Sequence, residues 1–152
     1  MIMKRVSDRM SYMKEVGKIV MVFGVFDIIH DGHRHFLNEA KKNGQKLVAV
    51  LPPDAVVNEM KGRFPLHSLT ERIHNLKAES IVDKVISGDN IIRSWGVINI
   101  ERPDVIALGY DQEILKKALE SEQARFPWNL EFVTITPYKD ISMHSNALRK
   151  KL

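Results

Sequence analysis

The 152-residue chain has no cysteine, which excludes disulfides and thiolate zinc sites and suits a reducing compartment. No apolar run approaches the ~20 residues that a membrane span needs. The opening residues, MIMKRVSDRMSYMKEVGK, are broken by charges and lack the apolar core of a secretory signal, so a cytoplasmic location is expected. Neither GxxxxGK[ST] nor GxGxxG occurs, so two common ways of holding a nucleotide on an α/β sheet are absent. No repeat, low-complexity tract or linker divides the chain. Charge of one sign is also scarce: the formal net charge is only +4, with a pI of about 9.3. That balance suits a small anionic ligand. No basic patch interleaved with aromatics is visible, so no nucleic-acid partner is expected.

Hydrophobic residues make up 44% and charged residues 28%, an ordinary globular balance for one core. Residues 1–17 read as an N-terminal extension and 18–152 as a single domain. Strands are predicted at KIVMVFG, KLVAVLPP, DKVISG, PDVIALG and NLEFVTITP, all continuous apolar runs. Helices are predicted at HRHFLNEAKKNG, at LTERIHNLKAE capped by Thr70 or Ser68, around IIRSWGVINIE, at DQEILKKALESEQAR and in the tail NALRKKL. In the fourth of these, Ile114, Leu115, Ala118 and Leu119 are expected to face inward. PDAVVNEMKGRFPLHS reads as a polar loop. Strands buried on both faces and alternating with helices define an α/β fold with a doubly wound, five-stranded parallel sheet. Ligands then bind beyond the carboxyl ends of the strands, which fall at Gly24, Pro52, Gly88, Gly109 and Pro137.

The first of those ends opens FGVFDIIHDGHRHFL, where three of the six histidines stand within six positions. If a helix starts near Asp31, His30 and His33 stack on its first turn. Open amides of that turn carry the positive end of the helix dipole, and Gly32 lets a ligand approach the backbone. Two imidazoles over open amides suit a phosphate. Zinc is the rival reading, but the spacing matches no helical metal motif. Structural histidines are the third. His35 is expected on the surface, and Trp95 and Trp128 read as packing residues.

Gly24-Val25-Phe26-Asp27-Ile28-Ile29-His30-Asp31-Gly32-His33 resembles the GTFDxxHxGH signature of the nucleotidyltransferases related to glycerol-3-phosphate cytidylyltransferase. The resemblance continues through Lys61 and Arg63, through LTERIHNLKAESIVDKVI with Arg72, and through RPDVIALGYDQ, to a serine-containing basic tail. It implies that an NTP and a phosphorylated small molecule give a nucleotidyl product and pyrophosphate. The acceptor phosphate attacks the α-phosphorus in line, without an enzyme nucleophile. By motif position His30, His33, Lys61 and Arg149 are the implied catalytic residues. Gly24, Val25, Phe26, Asp27, Gly32, Gly109, Asp111, Ser145 and Asn146 would bind the nucleotide. Arg72 and Tyr110 would meet the acceptor. Asp27 has the alternative of orienting its loop. Magnesium would be held mainly by the phosphates, with no protein metal site. A homodimer is also implied.

Val25 stands where the signature has threonine, so that hydroxyl is dispensable or the backbone replaces it. In the tail, Ser142 or the pair Ser145-Asn146 fits the motif serine, and the second register leaves Ser142 and His144 without a role. IALGYDQ resembles the archaeal-type FAD synthases, which join ATP and FMN. The alternative is CTP with glycerol 3-phosphate or a similar alcohol or sugar phosphate.

Overall fold

The computed structural model describes residues 17–138. The strands are β1 (Ile19–Phe23), β2 (Lys46–Leu51), β3 (Lys84–Ser87), β4 (Val105–Leu108) and β5 (Glu131–Thr134). They form one parallel sheet in the order β3-β2-β1-β4-β5. The helices are α1 (Asp31–Lys41), α2 (Asp54–Lys61), α3 (Leu69–Lys77), α4 (Gly96–Glu101) and α5 (Glu113–Ser121), followed by a 3-10 turn at Gln123–Arg125.

Alternate residues of each central strand enter different cores. Val20, Val22, Leu47, Ala49 and Leu51 pack beneath Leu37 and Ala40 of α1 and Leu76 of α3. Met21, Val48, Val50, Ile106 and Leu108 pack on the other face, under Trp95, Ile98, Leu119 and Phe126. Both faces being covered, the interior positions of β1, β2 and β4 are all apolar, and these strands read as continuous apolar runs.

The strand order reverses at β1. Five residue pairs join β1 to β2, but only Val20–Val105 and Met21–Ile106 join β1 to β4. Past those pairs a crevice opens, as expected at a switch point. The Gln112 side chain spans it. Its Nε2 donates to the Phe23 carbonyl (2.9 Å) and its Oε1 accepts from the Gly109 N–H (2.8 Å).

Three expectations are corrected. PDAVVNEMK is a helix, not a polar loop: Pro53 sits just before its first turn and Gly62, at φ 74°, ends it in the left-handed conformation. The helix expected around IIRSWGVINIE begins only at Gly96, because Arg93 and Trp95 adopt φ of 62° and 57°. Ile114 is exposed rather than inward, while Leu119 is fully buried. The cap of α3 is Ser68, whose hydroxyl accepts from the Glu71 N–H while Glu71 answers to the Ser68 N–H. The tail helix, and all but the last residue of the N-terminal extension, lie outside the described residues.

Candidate active site

A cavity of about 1070 Å³ lies over the carboxyl ends of the strands. All five predicted strand ends, Gly24, Pro52, Gly88, Gly109 and Pro137, line it. The loop after β1 contributes Val25, Phe26 and Asp27, and the start of α1 contributes Gly32 and His33.

His30 is the N-cap of α1. Its Nδ1 accepts from the N–H of Gly32 (3.1 Å) and of His33 (3.4 Å), and His33 Nδ1 accepts from the His30 N–H (3.3 Å). This is a capping box made by two imidazoles instead of a hydroxyl and a carboxylate. An imidazole whose Nδ1 accepts carries its proton on Nε2. Each ring therefore keeps one donor, Nε2–H, not engaged by the helix. The rings stack with centroids 3.9 Å apart and 20° between planes. His33 lines the cavity, and His30, stacked on it, is exposed. The amides of Gly32 and His33, expected to be open to a phosphate, are instead taken by the His30 ring. The donors offered at this corner are imidazole N–H groups.

Phe26 supports the pair from behind. It adopts φ 50°, is almost wholly buried, and its ring lies 5.2 Å from that of His33. A Cβ on Gly24 would come within 2.6 Å of the Phe26 ring, so any side chain there would displace that ring. The Gly24 N–H continues the β1–β2 ladder to Val50 O (3.2 Å).

Burial, and secondarily the neighbouring His30, push the His33 pKa down to about 4 from 6.5. A group whose folded pKa is depressed contributes stability that is complete above its unfolded pKa and lost as pH falls through the folded one. For His33 that window runs from pH 6.5 to pH 4. The melting-temperature gap between wild type and His33→Gln is expected to narrow across it. A gap that stays constant from pH 7 to pH 4 contradicts the assignment.

Asp27 reaches away from its own loop. Its carboxylate accepts from the N–H groups of Leu66 (2.7 Å) and His67 (2.9 Å), and His67 Nδ1 donates to the Asp27 carbonyl (2.8 Å). Burial raises its pKa, but the two amides and the His67 ring outweigh burial and hold it below the ordinary value. The carboxylate orients the segment after α2, and both its oxygens accept from amides there.

Arg72 corrects the sequence expectation most plainly. It is fully buried and cannot meet an acceptor. Its guanidinium donates to the carbonyls of His67 (3.1 Å), Val25 (3.2 Å) and Pro52 (2.8 Å) and to Asp54 Oδ1 (2.7 Å). Val25, lacking the signature hydroxyl, contributes its carbonyl here.

Lys61, the last residue of α2 rather than a loop residue, is exposed on the cavity wall with Arg63. Asp111 and Tyr110 stand exposed at the end of β4, and the Asp111 charge acts on His33. A Cβ on Gly109 would come within 2.9 Å of Asp111 Oδ1. The N–H of Gly109, a residue expected to bind the nucleotide, donates to Gln112. His35 is not a plain surface residue: its Nε2 bonds the Thr136 carbonyl (3.0 Å) and it lines the cavity. Trp95 and Trp128 pack in the core, each with its indole N–H bonded, to Glu122 and to the Pro103 carbonyl. Arg149, Ser145 and Asn146, with Ser142 and His144, lie outside the described residues. Sequence reasoning missed Gln112 and His67. Gln112 was visible as an amide in the short turn after a buried strand, but the partner of His67 is 40 positions away.

A switch-point crevice with an imidazole pair at its floor matches one family along most of the chain. The chain belongs to the cytidylyltransferase-like family, whose model matches residues 21–151, and is a nucleotidyltransferase. Among individual relatives, an FAD synthase of Thermococcus sibiricus is 40% identical over 134 residues, 86% of this chain and 90% of the relative. An FAD synthase of Thermoplasma volcanium is 35% identical over 133 residues, 88% and 92% of the two chains. A solved structure, that of the lipopolysaccharide core biosynthesis protein from Thermoplasma volcanium, superposes with a TM-score of 0.74 at 33% identity, covering 80% of this chain and 98% of that one.

No helix among the described residues is long and apolar enough to cross a membrane.

Proposed function

We propose that this chain transfers the adenylyl group of ATP to FMN, giving FAD and pyrophosphate. The pair of Nε2–H donors on stacked His30 and His33 is the observation that carries nucleotidyl transfer. The FAD synthase relatives support the acceptor. An FMN phosphate oxygen attacks the α-phosphorus and forms the new P–O bond. The bond to the β-phosphate oxygen breaks on the opposite side, and pyrophosphate leaves. His30 and His33 donate hydrogen bonds to the phosphate oxygens that gain charge, from positions set before substrate arrives. Lys61 adds a cation beside the reacting phosphates, and the resemblance assigns the β- and γ-phosphates to Arg149, Ser145 and Asn146.

The resemblance also implies magnesium and a homodimer. Among the described residues no group of three His, Asp or Glu side chains could hold a metal ion. Asp111 faces the cavity while Asp27 is engaged by amides, so the residues fit an ion carried by the phosphates and approached by Asp111. When bound, it neutralises phosphate charge.

The test is a screen of the purified full chain with ATP or CTP against FMN, glycerol 3-phosphate and a sugar phosphate. Pyrophosphate is read by coupled assay and product by mass. Glycerol 3-phosphate and the sugar phosphate test the alternative left open by the sequence. ATP with FMN is expected to give both pyrophosphate and FAD. A clear preference for CTP, or for either other acceptor, overturns the proposal.

A further inference from the structure

Resting on that function, we infer that the ring system of FMN is seated on the β2–β3 flank of the cavity, against Met60, Phe64, Leu66 and Ile91. Eight large apolar side chains are exposed among the described residues, and all but Ile100 line the cavity. Single exposed apolar residues are ordinary, but a cluster around one opening marks a ligand surface. A polyol or sugar phosphate calls for polar partners at such a rim. A flat, largely apolar tricycle calls for this one.

The topology decides the flank. Met60 stands in the last turn of the helix that follows β2, Phe64 and Leu66 stand on the segment after it, and Ile91 follows β3. Tyr110 follows β4, on the other side of β1 in the sheet. The imidazole pair follows β1, between the two. In-line displacement needs the attacking and leaving oxygens on opposite sides of the α-phosphorus. An acceptor on the β2–β3 flank and a nucleotide on the β4 flank meet that requirement at the imidazoles. Tyr110, expected from sequence to touch the acceptor, then belongs with the nucleotide.

The seat is also fixed relative to the reacting centre. Asp27 holds the N–H groups of Leu66 and His67, and Arg72 holds the carbonyls of His67 and Val25. The segment bearing Phe64 is thereby tied to the loop that leads into His30. Asp27 and Arg72 are positioning residues.

Phe64 is 63% exposed, so its replacement leaves the core untouched. Phe64→Ala is expected to raise KM for FMN by ~10-fold, with KM for ATP and the melting temperature unchanged. Phe64→Tyr is expected to restore KM, and Ile100→Ala, off the cavity, to change nothing. Riboflavin, which carries the ring without the phosphate, should show raised fluorescence anisotropy with wild type and not with Phe64→Ala. A Phe64→Ala variant whose KM for FMN stays within twofold of wild type overturns the seat. If wild type makes no FAD, the proposed function fails instead, and riboflavin alone decides the seat. Raised anisotropy with wild type but not with the variant upholds it; an equal or absent rise removes it.

Discussion

Replacing His30 by asparagine is expected to leave the chain folded and to lower kcat for pyrophosphate release by ~10²–10³-fold. The choice of asparagine separates two roles that one ring performs. As N-cap, His30 accepts the amides of Gly32 and His33, and asparagine is among the best residues for that task. As donor, His30 presents Nε2–H, which the shorter asparagine cannot place in the same position. His30→Ala removes both and should cost a further ~1 kcal/mol of stability. Thermal melting with steady-state pyrophosphate release distinguishes the variants. A His30→Asn enzyme within tenfold of wild-type kcat, at wild-type melting temperature, would reduce His30 to a helix cap.

The largest stability effect is expected at Arg72. Methionine preserves much of the buried volume but removes every donor. The carbonyls of His67, Val25 and Pro52 then lose their partner, as does Asp54. Asp54 is 41% exposed and regains water, so most of the cost falls on the buried carbonyls. A loss of about 3–5 kcal/mol in unfolding free energy follows, or ~10 °C in melting temperature. Arg72→Lys should fall in between, because one ammonium cannot span four acceptors. Urea titration measures both. A methionine variant within 1 kcal/mol of wild type would disprove the buried junction. An acceptor ligand at this position would instead leave stability intact and raise KM alone.

Much of the fold was legible because burial on both faces leaves a plain mark. Val20 to Phe23 and Lys46 to Leu51 have no polar alternation, and the five strand ends all reached one cavity. Helix α2 was illegible because its punctuation resembles that of a loop. Pro53 and Gly62 bracket a segment in which only Val56 and Val57 are buried. Ile114 failed for a different reason: a stripe broad enough to include Leu115, Ala118 and Leu119 does not fix its own edge. At the site, the position of the imidazole pair was readable and its internal bonding was not. Histidine is an uncommon cap, so nothing in HDGH announced that the amides were taken. Apart from the local bond of Arg72 to the His67 carbonyl, the contacts of Asp27 and Arg72 join positions 18 to 47 residues apart, and only the folded chain brings them together.

The segment between Gly62 and Ser68 is suspended by its main chain and by the His67 ring. The groups that hold it are two N–H donors, a carbonyl and an imidazole, none of which depends on what residues 64 and 66 carry outward. Side chains there can be exchanged without loosening the suspension. Such a bracket with replaceable fittings gives one reaction centre a way to change clientele, keeping its chemistry while its outer residues are rewritten.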